Sequence, residues 1–381
     1  MSFVTHLECS ASGESCPHDR LRGLSKAGKP LLVRYDLKSL GEALDKDSLR
    51  TRPEDMWRYR EFSPLPEDAP IVSLGESRTP LLALANGNIL IKDEGRLPTG
   101  SFKARGMAMA VSMAAHFGVT TLAVPTAGNA GVAAAAYGAR AGMAVHVFTP
   151  EDTLDDTVRE AALCGARVQR VDGLIDACGR IAKEESARFG WHDLSTLAEP
   201  YRLEGKKTMG LELAEQLDWQ LPDLIYYPTG GGTGFIGMWK AFQELEHIGW
   251  LERKRPRMVA VQADGCCPVK RAFEADQRDV EDPWEEARTG IHGVRVPKPL
   301  GGKLILDVIY QSGGHAVSVS DESALEQRRR IADRYGINLC IEGGACMAAY
   351  LQDLSRQRVS PEEQAVIFNT AHGLKTPMPP V

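Results

Sequence analysis

The stretch Pro98-Thr99-Gly100-Ser101-Phe102-Lys103 places a single amine in a tight turn of small and apolar residues, immediately before a helix-like run. Lysine is ordinarily a solvated residue. At a helix start the positive end of the dipole disfavours an ammonium, and a partly desolvated amine serves both as a nucleophile toward a carbonyl and as a base. Two further turns stand in comparable places. "PTAGNAG" (125–131) carries Asn129, an amide able to bond a ring hydroxyl. "PTGGGTGFIG" (228–237) sets Gly230, Gly231, Gly232, Thr233 and Gly234 between the apolar "DLIYY" and a helix. Glycine-rich backbone that leads into a helix N-terminus suits a phosphate. An amine, an amide and a phosphate cup are what pyridoxal phosphate needs: the lysine forms a Schiff base with its aldehyde.

Other readings of the same residues stay open. Gly232, Gly234 and Gly237 spell G-x-G-x-x-G after a strand, and Asp264 ends the next strand as a ribose-binding acid does, which points to a nicotinamide oxidoreductase. That motif sits late in the chain and leaves Lys103 unexplained. The glycines could serve only close helix–sheet packing, Lys103 could be a solvated structural lysine, and the fold could be a binding module without catalysis.

These turns need elements to hold them. "NILIKDE" and "TLAVPT" (121–126) are short apolar runs bounded by turn residues, and Ala104, Met107, Ala110, Val111, Ala114 and Phe117 recur between them at helical spacing. An alanine-rich helix (128–142), the strand "MAVHVFTP", a helix over 153–164, the strand "ARVQRVDG" and a helix over 174–189 stopped by Gly190 follow. Then come a helix from 204 to 217, the strand "DLIYYPTG", a helix from Gly234 and the strand "RMVAVQAD". Residues 275–303 read as a long loop, and 320–336 as a helix capped by Ser320 and ended by Gly336. Nearer the start, "KPLLVRYDL" (29–37) reads as a strand. Strand–helix alternation of this length predicts an α/β fold with parallel-rich sheets covered by helices.

The 381 residues carry a formal charge of −6, with 43% hydrophobic and 25% charged residues, so nothing electrostatic calls for nucleic acid or an anionic membrane. No apolar run nears the ~20 residues of a membrane helix. The first residues lack a basic region followed by an apolar core, so a cytoplasmic protein is expected. Eight cysteines are scattered along the chain. Cys9 and Cys16, with His6 and His18 nearby, lack the spacing of a zinc set, so no metal is expected.

"GSFKARG", "TAGNAG" and "TGGGTG", in this order, resemble the pyridoxal-phosphate enzymes of fold type II, the tryptophan synthase β-like family, over most of the chain from about residue 70. The resemblance implies a two-lobed fold. It gives residues 51–103 and 207–381 to a larger cofactor-binding domain and 104–206 to a smaller mobile one. It makes Lys103 the catalytic Schiff-base lysine, with Asn129, Gly230, Gly231, Gly232, Thr233 and Gly234 as cofactor contacts. Within the family the chain is most similar to the threonine synthase branch, through "MWRYREFSPLP" (56–66), "VSLGESRTPLL" (72–82) and "FNTAHGLKTP" (368–377). That likeness puts Thr370 near the pyridine nitrogen and makes residues 1–50 a degenerate zinc ribbon: Cys9 keeps the first ligand position, while Ser12, Ser25 and Ala27 stand where cysteines belong. It also implies a small amino-acid substrate with its own phosphate, for which Thr126, Arg202, Lys206 and Lys207 are the candidate contacts, with Arg295 and His372 within possible reach; a solvated charge cluster is the other reading of the lysines. A homodimer is implied. The family form S-F-K-D-R-G is here S-F-K-A-R-G, and Ala104 keeps open a threonine or serine dehydratase, or a β-replacement enzyme.

Overall fold

The computed structural model describes residues 2–84, 87–252 and 255–377. The chain begins with a small antiparallel sheet of β1 (Val4–Cys9), β2 (Ser15–Cys16) and β3 (Leu31–Tyr35), in the order β2-β1-β3. Leu7 lies opposite Val33 and Cys9 opposite Leu31, so alternate side chains share one buried face. Two matching turns close its end: Gly13 N–H bonds Cys9 O, and Gly28 N–H bonds Ser25 O. They bring Cys9 Sγ to 3.1 Å from Ser25 Oγ. Hydrogen bonds from Ser12 and then Ser25 bring the Cys9 thiol down to about 7. Asp36 then caps the short α1 (Leu37–Ala43), accepting the Ser39 N–H.

From β4 (Leu81–Ala83) and β5 (Ile89–Asp93) the chain passes to α2 (Lys103–His116), β6 (Thr121–Pro125), α3 (Asn129–Arg140), β7 (Ala144–Pro150), α4 (Asp155–Leu163), β8 (Arg167–Val171), α5 (Ile175–Phe189), β9 (His192–Asp193) and α6 (Tyr201–Gln216). Strands β6–β9 form a parallel sheet ordered β8-β7-β6-β9. The later elements are β10 (Leu224–Pro228), α7 (Thr233–His247), β11 (Arg257–Ala263), α8 (Pro268–Glu274), α9 (Gly302–Ser312), β12 (His315–Val319), α10 (Asp321–Tyr335), α11 (Ile341–Ser355) and β13 (Ala365–Asn369). They build a six-stranded sheet ordered β12-β11-β10-β13-β5-β4, parallel except at its β4 edge. Every residue of β10 and β13 is buried, as expected for strands covered on both faces.

The chain divides into two compact units. One takes the chain up to Arg78, Lys103–Leu211 and Gln243–Trp250, and holds the small sheet and the four-stranded sheet. The other takes Thr79–Phe102, Glu212–Phe242 and the chain from Leu251 onward, and holds the six-stranded sheet. The expected alternation is present, with differences at the ends of elements. Helix α6 starts at Tyr201 rather than 204 because Glu199 caps it. The expected loop 275–303 contains a short 3-10 turn at His292–Val294 and gives way to α9 at Gly302. Among the described residues no helix is long and apolar enough to cross a membrane.

Candidate active site

In the six-stranded sheet β10, β13 and β5 run parallel and adjacent, with Tyr226 opposite Ile367 and Asn369 opposite Asp93. Ligands of such sheets bind beyond the carboxyl ends of the strands. Each of these three ends carries a predicted feature. Beyond β10 lies the glycine turn. Gly230 approaches its neighbours so closely that a Cβ would fall 2.7 Å from Gly293 O. Gly232 has φ +78°, and its Cβ would fall 2.5 Å from the Ile305 side chain. Gly231 is half-buried between them, Thr233 is buried, and with Gly234 it begins α7, whose first amides have no partner within the helix.

Asn369 ends β13 and Thr370 follows it. Asn369 Nδ2 donates to Asp93 Oδ1 at 2.7 Å, and its Oδ1 accepts the Cys340 N–H at 2.9 Å. That clamp fixes the buried Thr370, whose carbonyl accepts the Phe102 N–H at 2.9 Å and whose Oγ1 lies 3.9 Å from Cys340 Sγ. Ser101 pairs with Ala371 in the same short bridge. Beyond β5 the chain crosses Thr99, a β-branched residue held at φ +62°, a conformation that costs energy and clusters at functional sites. The buried Thr99 Oγ1 and Ser101 Oγ have no hydrogen-bond partner among the described residues. Lys103 follows Phe102 in the chain. His372 is committed to a turn, its Nδ1 accepting the Leu374 N–H at 3.2 Å. Arg295 follows the 3-10 turn at His292–Val294 and is half-buried.

In the other unit Lys103 opens α2 and is half-buried, while Ala104 through Ala114 are buried. Beyond β6, the Thr126 hydroxyl donates to Gly128 O at 3.1 Å and accepts the Gly128 N–H at 3.0 Å, which closes the turn that delivers Asn129 to the start of α3. Asn129 is half-buried. The third contribution is α6. Before it, Leu197 sits at φ +61°, and the two oxygens of the buried Glu199 accept the Tyr201 and Arg202 N–H groups, each at 2.7 Å. Burial pushes the Glu199 carboxyl up to about 7 despite those amides. Arg202 is 1% exposed; it donates to Leu194 O, and its Nε has no hydrogen-bond partner among the described residues. Burial pushes it down to about 10.

The two lysines of α6 part company. Lys206 turns toward α2, where a Cβ on Gly106 would collide with its amine and lie 3.0 Å from Arg202 O. Burial, then Arg202, then Lys103 hold Lys206 well below the ordinary lysine range. Lys207 lies 2.7 Å from Glu204 and 2.8 Å from Glu244, with its Nζ 4.0 Å from the centre of the Tyr35 ring. Burial works against its charge, but Glu204 and Glu244 outweigh it and raise the amine. An anionic ligand would have to compete there with two carboxylates.

These residues fit pyridoxal phosphate. The cup leaves little room for a side chain at Gly230 or Gly232 and leads into the start of α7; Ser101 and Thr99 offer buried hydroxyls, without a hydrogen-bond partner among the described residues, close in sequence to the amine. Sequence reasoning missed Glu199, Thr99, Ser101 and Asn369. Only Glu199 left a local signal, an acid shortly before a helix start. Asp264, the acid of the dinucleotide reading, accepts the Ser318 hydroxyl at 2.5 Å.

Residues 72–371 match a family model described as pyridoxal-phosphate dependent enzyme. The chain is 32% identical over 377 residues to a threonine synthase of Methanocaldococcus jannaschii, covering 97% of this chain and 92% of that one. It is 32% identical over 381 residues to a threonine synthase of Methanosarcina acetivorans, covering 98% and 92%. Among solved structures a serine racemase of maize superposes with a TM-score of 0.66 at 20% identity, covering 78% of this chain and 88% of that one, which shows the shared fold type II architecture. A match over these lengths, on a glycine cup and a lysine turn set at strand ends, replaces the oxidoreductase reading: the chain belongs to the family of pyridoxal-phosphate dependent enzymes.

Proposed function

We propose that the protein is a threonine synthase, a lyase that converts O-phospho-L-homoserine and water to L-threonine and phosphate by γ-elimination and β-addition. The observation that carries this reading is the likeness to two threonine synthases along nearly the whole chain. In it, Lys103 binds the cofactor. The amides of Gly230, Gly231, Gly232 and Gly234, with the Thr233 hydroxyl, would hold its phosphate, and Asn129 and Thr370 would hold its ring. When bound, the cofactor supplies an electron sink for charge developing at the substrate Cα. The freed Lys103 amine removes the Cα proton and later returns a proton. Arg202, with the Thr126 turn, receives the substrate phosphate. Lys207 supports that site through α6, since Glu204 and Glu244 already balance its charge. The homodimer implied by resemblance belongs to this proposal.

One observation favours a second reading, a dehydratase: Ala104, beside the lysine, is uncharged and completely buried. Product analysis separates the two. The synthase reading expects phosphate and threonine from O-phosphohomoserine, with chromophore and turnover both lost in Lys103→Ala. Formation of 2-oxobutanoate from threonine, with O-phosphohomoserine untouched, would establish the dehydratase instead.

A further inference from the structure

Lys206 is completely buried at the gap that Gly106 leaves in α2. Among the charged groups that bear on it are Lys103 from α2, Arg202 one turn back on its own helix, and Glu199 from the capping segment. Arg202 is a fixed cation, Lys103 is the cofactor lysine of the proposed function, and the carboxylate among them already accepts two backbone amides. A charged amine here is desolvated and faces the Arg202 guanidinium, and both favour the uncharged form. Beside it the guanidinium of Arg202 keeps a buried Nε with no acceptor. This corner of α6 thus holds one fixed cation with a buried donor that has no acceptor among the described residues, and one amine whose hold on its proton is weakened.

An anion drawn to Arg202 reverses this balance, because an opposite charge one helical turn away favours the ammonium. We propose that Lys206 takes up a proton from solvent as a dianionic group seats against Arg202, and releases it when the anion leaves. That corner of α6 therefore gains its second cation only in the presence of the ligand, and the repulsion between that cation and Arg202 is absent without it. The inference rests on the reading of Arg202 as the partner of the substrate phosphate.

Calorimetric titration of the holoenzyme with sulfate tests it. Sulfate is a dianion that does not titrate near neutrality, and in the holoenzyme the glycine cup is already filled. Repeating the titration at about pH 8 in buffers of different ionisation enthalpy should give uptake of about one proton per bound sulfate. Lys206→Arg, permanently charged, should bind sulfate without proton uptake, and Lys206→Gln should bind more weakly and also without it. Uptake should persist in Glu199→Gln. Sulfate binding that needs Arg202 but takes up no proton would overturn the proposal and leave the phosphate seat standing. Uptake kept in Lys206→Gln and lost in Glu199→Gln would also overturn it, in favour of the carboxylate. Absence of sulfate binding, or binding that survives Arg202→Gln, would remove the seat itself.

Discussion

Neighbouring lysines on α6 are equally buried and opposite in character. Lys206 faces α2 among Arg202, Lys103 and a carboxylate engaged by amides; Lys207 faces Glu204, Glu244 and the Tyr35 ring. Burial pushes both toward neutrality, yet one is lowered and the other raised. The difference teaches that company, not depth, decides whether a buried amine keeps its proton. The largest break in the comparison comes from Lys207→Met. It strands two buried carboxylates, and removal of one partner of a buried ion pair costs about 3–5 kcal/mol. The shift in urea midpoint should show a loss of that size, constant across neutral pH. The raised amine keeps its proton throughout that range, so its stabilisation fades only above the ordinary lysine range. A loss near zero would mean that the pair contributes nothing.

Lys206→Met should behave in the opposite way. The unfolded chain protonates this lysine below about pH 10.4, whereas in the folded chain its affinity for the proton is lowered, so native stability falls as pH falls through that range. The variant lacks that proton linkage. Its stability relative to the parent should therefore rise as pH is lowered below the ordinary lysine range, with a slope of at most about 1.4 kcal/mol per pH unit, that of a single proton, until the folded amine itself protonates. Parallel curves for parent and variant would place a charged amine at Lys206 and erase the contrast between the two positions.

This contrast could not be read from the sequence, although much around it could. The glycine cup, the lysine turn and the asparagine turn are local in sequence, and each lies where an apolar run stops, so their types and spacing disclose both chemistry and placement. "KK" at 206–207 reads as one charge cluster, because nothing local says that side chains about 100° apart on a helix meet different partners. The partners come from Tyr35, Gly106 and Glu244, all remote in the chain. The same limit hides the clamp on Thr370, since Asn369 joins Asp93 and Cys340 across the sheet. Helix α11 escaped periodicity for a different reason. Residues Ile341 through Tyr350 are all buried, so no polar face marks the turn of the helix. Strands β1 and β2 are short and half-buried, and only their pairing with β3 defines them.

The finest test divides the Lys207 cluster itself. Tyr35, at the end of β3, donates its hydroxyl to Glu204 Oε2 at 2.7 Å while its ring lies under the Lys207 amine. The small N-terminal sheet is thereby tied to α6, the helix that carries Arg202. Tyr35→Phe keeps the ring and removes only the hydrogen bond. A bond to a charged group contributes about 1.5–3 kcal/mol, so the variant should lose less than Lys207→Met. Tyr35→Leu removes the ring as well and should lose more than Tyr35→Phe, by the cation–π share of about 1–2 kcal/mol for a desolvated site. Equal losses in the two variants would assign the whole effect to the hydroxyl. The cluster would then be an ion pair with a hydrogen-bonded lid, and the aromatic face would play no part in keeping the Lys207 proton.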